Sequence, residues 1–84
     1  MPNPQITLDQ WAALVAVVEQ GGYGQASKRL HRTQSTVTYT IKRLEDQLGL
    51  KVFERQGRRA ALTPAGQVLY RRGKSLLDDA ARLE

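Results

Sequence analysis

Val37, Ile41, Leu44 and Leu48 recur at spacings of four, three and four between Thr33 and Gly49. That beat matches the 3.6-residue period of an α-helix and not the two-residue period of a strand, so the segment buries one side only. Thr33 suits the N-cap, and Gly49 suits the end, because glycine enters the left-handed region without a Cβ clash. Stepping 100° per residue from the buried stripe leaves Ser35, Thr38, Tyr39, Lys42 and Asp46 on the opposite side, with Gln34 at its margin. The first turns of this outward face are uncharged and rich in hydrogen-bonding groups, while Lys42 and Arg43 come later. A rod of that kind must dock through its stripe onto other elements.

The rest of the chain supplies them. Residues 1 to 6 contain two prolines and read as a loose lead-in. Thr7 with Gln10 forms a capping-box pattern, and Leu8, Trp11, Leu14, Val15 and Val18 keep a helical beat up to Gly21 and Gly22. Tyr23 to Leu30 predicts a two-turn helix with Tyr23, Ala26 and Leu30 on one side and Lys28 and Arg29 toward water. His31 and Arg32 make the turn into the helix over 34–48. After Gly49 the period changes: Leu50 to Arg55 reads as a strand, Gln56-Gly57-Arg58-Arg59 as a turn, and Ala60 to Leu62 as a returning strand. Thr63 then caps a fourth helix that has Pro64 at its first position and runs to the chain end. The fold class is therefore mainly α: a winged helix-turn-helix, with a three-helix core and a small β-hairpin wing over 1–62, followed by a long linker or dimerisation helix over 63–84.

Along that last helix Gly66, Leu69, Gly73, Leu76, Ala80 and Leu83 alternate spacings of three and four, the pattern of a coiled-coil seam. Gly73 in mid-helix costs about 1 kcal/mol relative to alanine, which a closely packed neighbour would explain. A partner helix is the favoured neighbour; packing back on the chain's own body is the alternative.

At 84 residues the chain supports one modest core. Without cysteine and with a single histidine, neither a disulfide framework nor a metal cluster is expected, and no cofactor is expected in this segment. The longest apolar stretch, Trp11 to Val18, is less than half of the ~20 residues a membrane span needs. No leader pattern opens the chain, and a cytoplasmic location is expected. The net charge is +5, and residues 28 to 59 alone hold nine basic and three acidic side chains. Two readings of that middle segment are open: a polyanion partner, whose phosphates exchange counterions for Lys and Arg, or a solvated basic face. Catalysis is not expected, since Ser35, His31 and Asp46 lie on separate parts of short helices without an oxyanion site.

A short helix and tight turn before a polar helix face is the arrangement that places a recognition helix in the major groove of double-stranded DNA. On that reading Gln34, Ser35, Thr38 and Tyr39 face base edges. Gln34 carries the donor and acceptor that adenine requires. Arg32, Thr33, Thr36, Lys42 and Arg43 meet the backbone. Arg55, Arg58 and Arg59 sit on the wing near a minor groove, with Arg55 alternatively anchoring the wing to the body. Two rivals are a protein-docking winged helix, which would need an apolar hot spot that only Tyr39 begins to supply, and a DNA binder without strong sequence preference.

Gly21, Tyr23, Ala26 and Leu30, then Thr33-Gln34, Val37, Thr38 and Ile41, appear in order with Leu44-Glu45, Leu48-Gly49, Val52-Phe53-Glu54-Arg55 and Leu62-Thr63-Pro64-Ala65-Gly66. Together they resemble the N-terminal part of the LysR-type bacterial transcriptional regulators over almost the whole chain. The resemblance implies base-contacting roles for Gln34, Ser35, Thr38 and Tyr39, and wing roles for Arg55 and Arg58. It also implies a linker helix that pairs antiparallel with its twin, giving a homodimer on an interrupted palindrome and a higher oligomer in a full-length protein. Family members add a larger C-terminal domain that binds a small-molecule effector. The chain is accordingly expected to be a fragment of a longer regulator, with a stand-alone module as the alternative. Gly22, Gly24, Ser27, Ser35 and Thr38 depart from the common family pattern, which puts a DNA contact at the start of the second helix in doubt and points to a base preference of the chain's own.

Overall fold

A computed structural model of the chain describes residues 5–57 and 59–84, with Arg59 described by its backbone alone. The elements run α1 (Leu8–Gln20), α2 (Tyr23–Leu30), α3 (Gln34–Leu48), β1 (Phe53–Gln56), β2 (Arg59–Leu62) and α4 (Pro64–Arg82). The starts of α1, α3 and α4 and the ends of α1 and α3 follow from local chemistry. The Thr7 side chain accepts from the Gln10 amide while the Gln10 side chain accepts from the Thr7 amide, a complete capping box, and Gly21 closes α1 at φ 86°. Thr33 caps α3 by accepting from the Thr36 amide, and Gly49 ends it at φ 71°. Thr63 caps α4 by accepting from the Gly66 amide. The α2–α3 turn is unusual: His31 holds φ 56°, a left-handed conformation in which an L side chain is disfavoured.

The core gathers around α1. Ala13, Leu14, Ala16 and Val17 are buried with Ala26 of α2, Val37, Ile41 and Leu44 of α3, and Val52 before the wing. The one-sided α1 stripe read from the sequence needs correcting. Leu8 is 48% exposed, whereas every residue from Ala13 to Val17 is buried. The reason is position: α2, α3 and α4 all pack on α1, so its middle turns are covered nearly all round. Gln10 is buried too, and donates through Nε2 to Gln47 Oε1 of α3 at 2.6 Å.

The wing is an antiparallel hairpin in the register Phe53↔Leu62, Glu54↔Ala61, Arg55↔Ala60 and Gln56↔Arg59. It is shifted from the sequence expectation, because Gln56 and Arg59 belong to the ladder and the first strand begins only at Phe53. Val52 is withheld from the strand. Its side chain is fully buried, its amide donates to Glu45 Oε2 at 2.8 Å, and its carbonyl accepts from the Thr63 amide at 3.0 Å.

The seam on α4 also requires correction in its first half. A Cβ on Gly66 would fall on the Val52 carbonyl oxygen and 3.0 Å from Leu62 Cδ2, and one on Gly73 would lie 3.0 Å from Trp11 Cε3. Leu69 packs against the core. Gly66, Leu69 and Gly73 thus accommodate the chain's own body, and the close neighbour that mid-helix Gly73 called for is the Trp11 ring. Further along, Leu76 is 44% and Leu83 90% exposed, with Ala80 half-buried. Beside this contact Glu19 of α1 accepts from Tyr70 Oη at 3.0 Å and from Lys74 Nζ at 2.8 Å. These bonds hold the Glu19 carboxyl below the usual carboxylate range and the Lys74 ammonium above its usual one.

The two helical glycines predict different outcomes. Gly66→Ala forces backbone against backbone and destabilises the fold by about 2–3 kcal/mol. Gly73→Ala meets only the edge of a side chain and gains up to about 1 kcal/mol of helix propensity in return, so it stays within about 1 kcal/mol of the parent. Urea unfolding followed by circular dichroism measures both, and equal midpoints for the two variants would refute the assignment.

Candidate nucleic-acid interface

The outward side of α3 is built by default, as what remains once Val37, Ile41 and Leu44 are buried and Leu48 is half-buried. Ser35, Thr38, Tyr39, Lys42, Arg43 and Asp46 are all exposed, and among the described residues no other element covers them. Gln34, Ser35, Thr38, Tyr39 and Lys42 line one open cleft, and Tyr39, Lys42, Arg43, Asp46 and Gln47 line the next. The structure therefore brings together all four side chains expected to face base edges, with two cations further along the same rod. Tyr39 is 65% exposed, a large ring left standing in solvent.

The start of α3 is fixed by a hydroxyl network. Thr33 Oγ1 donates to Thr36 Oγ1 at 2.8 Å and accepts from the Thr36 amide at 3.1 Å, while Thr40 Oγ1 donates to the Thr36 carbonyl at 2.8 Å. Thr33 is therefore occupied as a cap. Thr36 is exposed beside it, next to Arg32, Asp9 and Thr40 around a cleft between α1 and α3.

The wing stands against the same end of the molecule. Arg55 is exposed and shares a cleft of about 440 Å³ with Gln34, Gly21, Gly22, Gly24 and Ala60. Among the described residues, contacts that hold the wing to the body come from Glu45 and Phe53. Glu45 Oε2 accepts from the amides of Val52 and Phe53 at 2.8 and 3.3 Å, and Phe53 meets Tyr23 edge-on with ring centroids 5.8 Å apart. Burial, and secondarily the negative charge of Glu45, push the Tyr23 hydroxyl pKa up. Arg58 lies outside the described residues, as does the side chain of Arg59. The sequence reading missed the role of Glu45. Its signal was an acidic residue directly after the buried Leu44, four residues on from the buried Ile41, at a helix position bordering the core.

Lys28, Arg29, Arg32, Lys42, Arg43 and Arg55 are exposed, and the ion pairs among the described residues use Lys51, Lys74 and Arg82 instead. Among the described residues Arg32, Lys42, Arg43 and Arg55 make no ion pair, so the basic side chains of α3, of the turn before it and of the wing carry charge that no carboxylate pairs there. Among the described residues no group of three or more His, Cys, Asp or Glu is placed to hold a metal ion, and no helix is long and apolar enough to cross a membrane.

The family model described as "Bacterial regulatory helix-turn-helix protein, lysR family" matches residues 8–67, from the start of α1 into the first turn of α4. The chain belongs to the LysR family. Among relatives of this LysR-family chain, the HTH-type transcriptional regulator TfdT of Cupriavidus pinatubonensis is 45% identical over 69 residues, covering 82% of the chain and 27% of that protein. The crystal structure of the BenM DBD in complex with catB site 1 DNA superposes with a TM-score of 0.88 at 30% identity, covering 92% of this chain and 86% of that one. The CbnR DBD–DNA complex superposes at 0.85 with 34% identity, covering 90% and 87%. The chain spans from about a quarter to about a half of the length of the curated relatives it matches. Both solved relatives were captured on DNA, and the shared architecture is the LysR-family winged helix-turn-helix.

In this LysR-family domain Glu45 is one of the groups that place the wing. Glu45→Ala leaves the Val52 amide without its charged acceptor and costs about 1.5–3 kcal/mol. Amide hydrogen exchange should quicken first at Val52 and Phe53, and unchanged protection there would show that the wing is held by other contacts.

Proposed function

We propose that this chain is the sequence-specific, double-stranded DNA-binding domain of a LysR-type transcriptional regulator. On this reading α3 enters the major groove and the wing approaches the adjacent minor groove. The single observation that carries the reading is the outward face of α3, which among the described residues is uncovered by the fold and flanked by cations outside its ion pairs. An α-helix with side chains is roughly 10–12 Å across, which matches a major groove about 12 Å wide. Gln34, Ser35, Thr38 and Tyr39 are assigned to base edges. Arg32, Thr36, Lys42 and Arg43 are assigned to phosphates, which set register and orientation, while Thr33, whose hydroxyl is occupied as the cap of α3, serves that end by holding the first turn. Arg55, Arg58 and Arg59 are assigned to the wing contact. The DNA complexes of BenM and CbnR support this assignment by likeness of fold.

The expected division of labour is measurable. Gln34→Ala or Thr38→Ala costs roughly 1–3 kcal/mol on a selected site and relaxes base preference at one position. Lys42→Ala weakens selected and random duplex alike and lowers the slope of log affinity against log salt by about 1. Titrations of selected and random duplexes at several salt concentrations test this, and equal losses on both duplexes for all three variants would sink it.

The same reading includes a homodimer on an interrupted palindrome, paired through α4, with the C-terminal 63–84 segment acting as linker. Its contact is carried by Leu76, Ala80 and Leu83, the part of the seam beyond the body, with Leu69 at its edge. Sedimentation equilibrium is expected to show a dimer for the parent chain and a monomer for the double variant Leu76→Lys, Leu83→Lys, which also loses its advantage on dyad-symmetric sites. A double variant that remains dimeric would place the contact elsewhere.

A further inference from the structure

Gln34 opens α3, the hydrogen bonds of the neighbouring corner run from Ser27 Oγ to the Gly24 carbonyl and from Thr33 to Thr36, and among the described residues none engages the Gln34 carboxamide. What stands opposite is Gly24, in the first turn of α2. A Cβ built there would lie 3.5 Å from Gln34 Oε1, an ordinary contact. Gly24 has no left-handed φ, unlike Gly21 and Gly49. Neither backbone conformation nor space therefore requires glycine at this position. Its effect is chemical: nothing from α2 takes hold of the Gln34 amide, which borders the open cleft between α2, α3 and the wing.

We propose that Gly24 is a specificity-determining position that acts through Gln34. By offering no side chain, it leaves both the carbonyl oxygen and the amide NH₂ of Gln34 free, the donor and acceptor pair that reads the major-groove edge of adenine. A serine in its place extends one bond beyond the Cβ and brings a hydroxyl within hydrogen-bond reach of Oε1. That bond ties up the acceptor and turns only the NH₂ outward. A donor alone suits the O6 and N7 acceptors of guanine and no longer matches adenine. The inference rests on the proposed role of Gln34 in facing a base edge.

The test uses the 84-residue chain. Sites selected from randomised duplex by the parent and by Gln34→Ala locate the base pair whose preference depends on Gln34. Affinities for adenine and guanine at that position are then measured for Gly24→Ser and Gly24→Ala, each with Gln34 and with Gln34→Ala. With Gln34 present, Gly24→Ser is expected to lower the adenine-over-guanine ratio about five- to tenfold, and Gly24→Ala to leave it within about twofold. In the Gln34→Ala background Gly24→Ser should leave the ratio unchanged. Both substitutions sit in a helix and raise its propensity, so folding is retained. A Gly24→Ser ratio equal to the parent's, or an equal fall without Gln34, overturns the inference while leaving Gln34 as a base reader. If Gln34→Ala alters preference at no position, the reading of Gln34 and this inference fall together.

Discussion

Val52 is where the three working parts of the molecule are joined. Its side chain is fully enclosed by the core, its amide is held by Glu45 of α3, and its carbonyl receives both the amide and the hydroxyl of Thr63 at the start of α4. Gly66 lets the first turn of α4 close onto that same carbonyl. One peptide segment thus ties the proposed recognition helix to the wing on one side and to α4 on the other. A buried amide and carbonyl that are both satisfied by side chains or caps have no inexpensive alternative geometry, because releasing either leaves an unpaired polar group away from water. The relative placement of helix, wing and α4 is therefore fixed by hydrogen bonding as much as by apolar packing.

That rigidity matters because the exposed parts of the interface have little to hold them. Ser35, Thr38, Tyr39 and Lys42 are exposed side chains on α3, and their positions are inherited from the backbone beneath. The hydroxyl network of Thr33, Thr36 and Thr40 fixes the first turns of that backbone, and the Gln10–Gln47 bond at 2.6 Å fixes its far end against α1. A polar face presented this way loses little conformational freedom in its main chain on binding, which is the advantage of carrying contacts on a packed element and not on a loop. The cations around it complement this: among the described residues they are left out of ion pairs, so in the proposed complex they need not break one to meet a phosphate.

Element boundaries were legible because this sequence states them in side-chain chemistry. Thr7, Thr33 and Thr63 each accept a hydrogen bond from an amide in the first turn, Gly21 and Gly49 each adopt the left-handed closing conformation, and the order of elements matches the resemblance to the LysR family. The outward face of α3 was equally legible, since a stripe at spacings of four, three and four admits one orientation. Interactions between elements distant in the chain were not. Glu45 reads as a surface acid until the Val52 amide is seen above it, and Gln10 reads as a capping residue until Gln47 arrives from 37 residues away. The central burial of α1 was missed for the same reason: its pattern reads as one apolar stripe, while the helices that cover its other sides, α2, α3 and α4, come from elsewhere in the chain.

The α4 seam shows how a correct periodicity can serve two surfaces. Gly66, Leu69, Gly73, Leu76, Ala80 and Leu83 do share one side of the helix, as their spacing requires. The body of the domain is shorter than the helix, however, so Trp11 and Val52 take up the glycines of the first half while Leu76 and Leu83 project beyond. The glycines mark where α4 presses closest on its own chain, and Leu76 and Leu83 mark where it leaves. A second copy covering the distal leucines would then lie along a helix whose direction is already set by Gly73 against Trp11 and by the Glu19, Tyr70 and Lys74 contacts. In the proposed dimer the direction of α4 relative to its own recognition helix is thus set inside each protomer, by how closely α4 approaches α1, and the pairing of the two α4 helices then sets the spacing between the recognition helices.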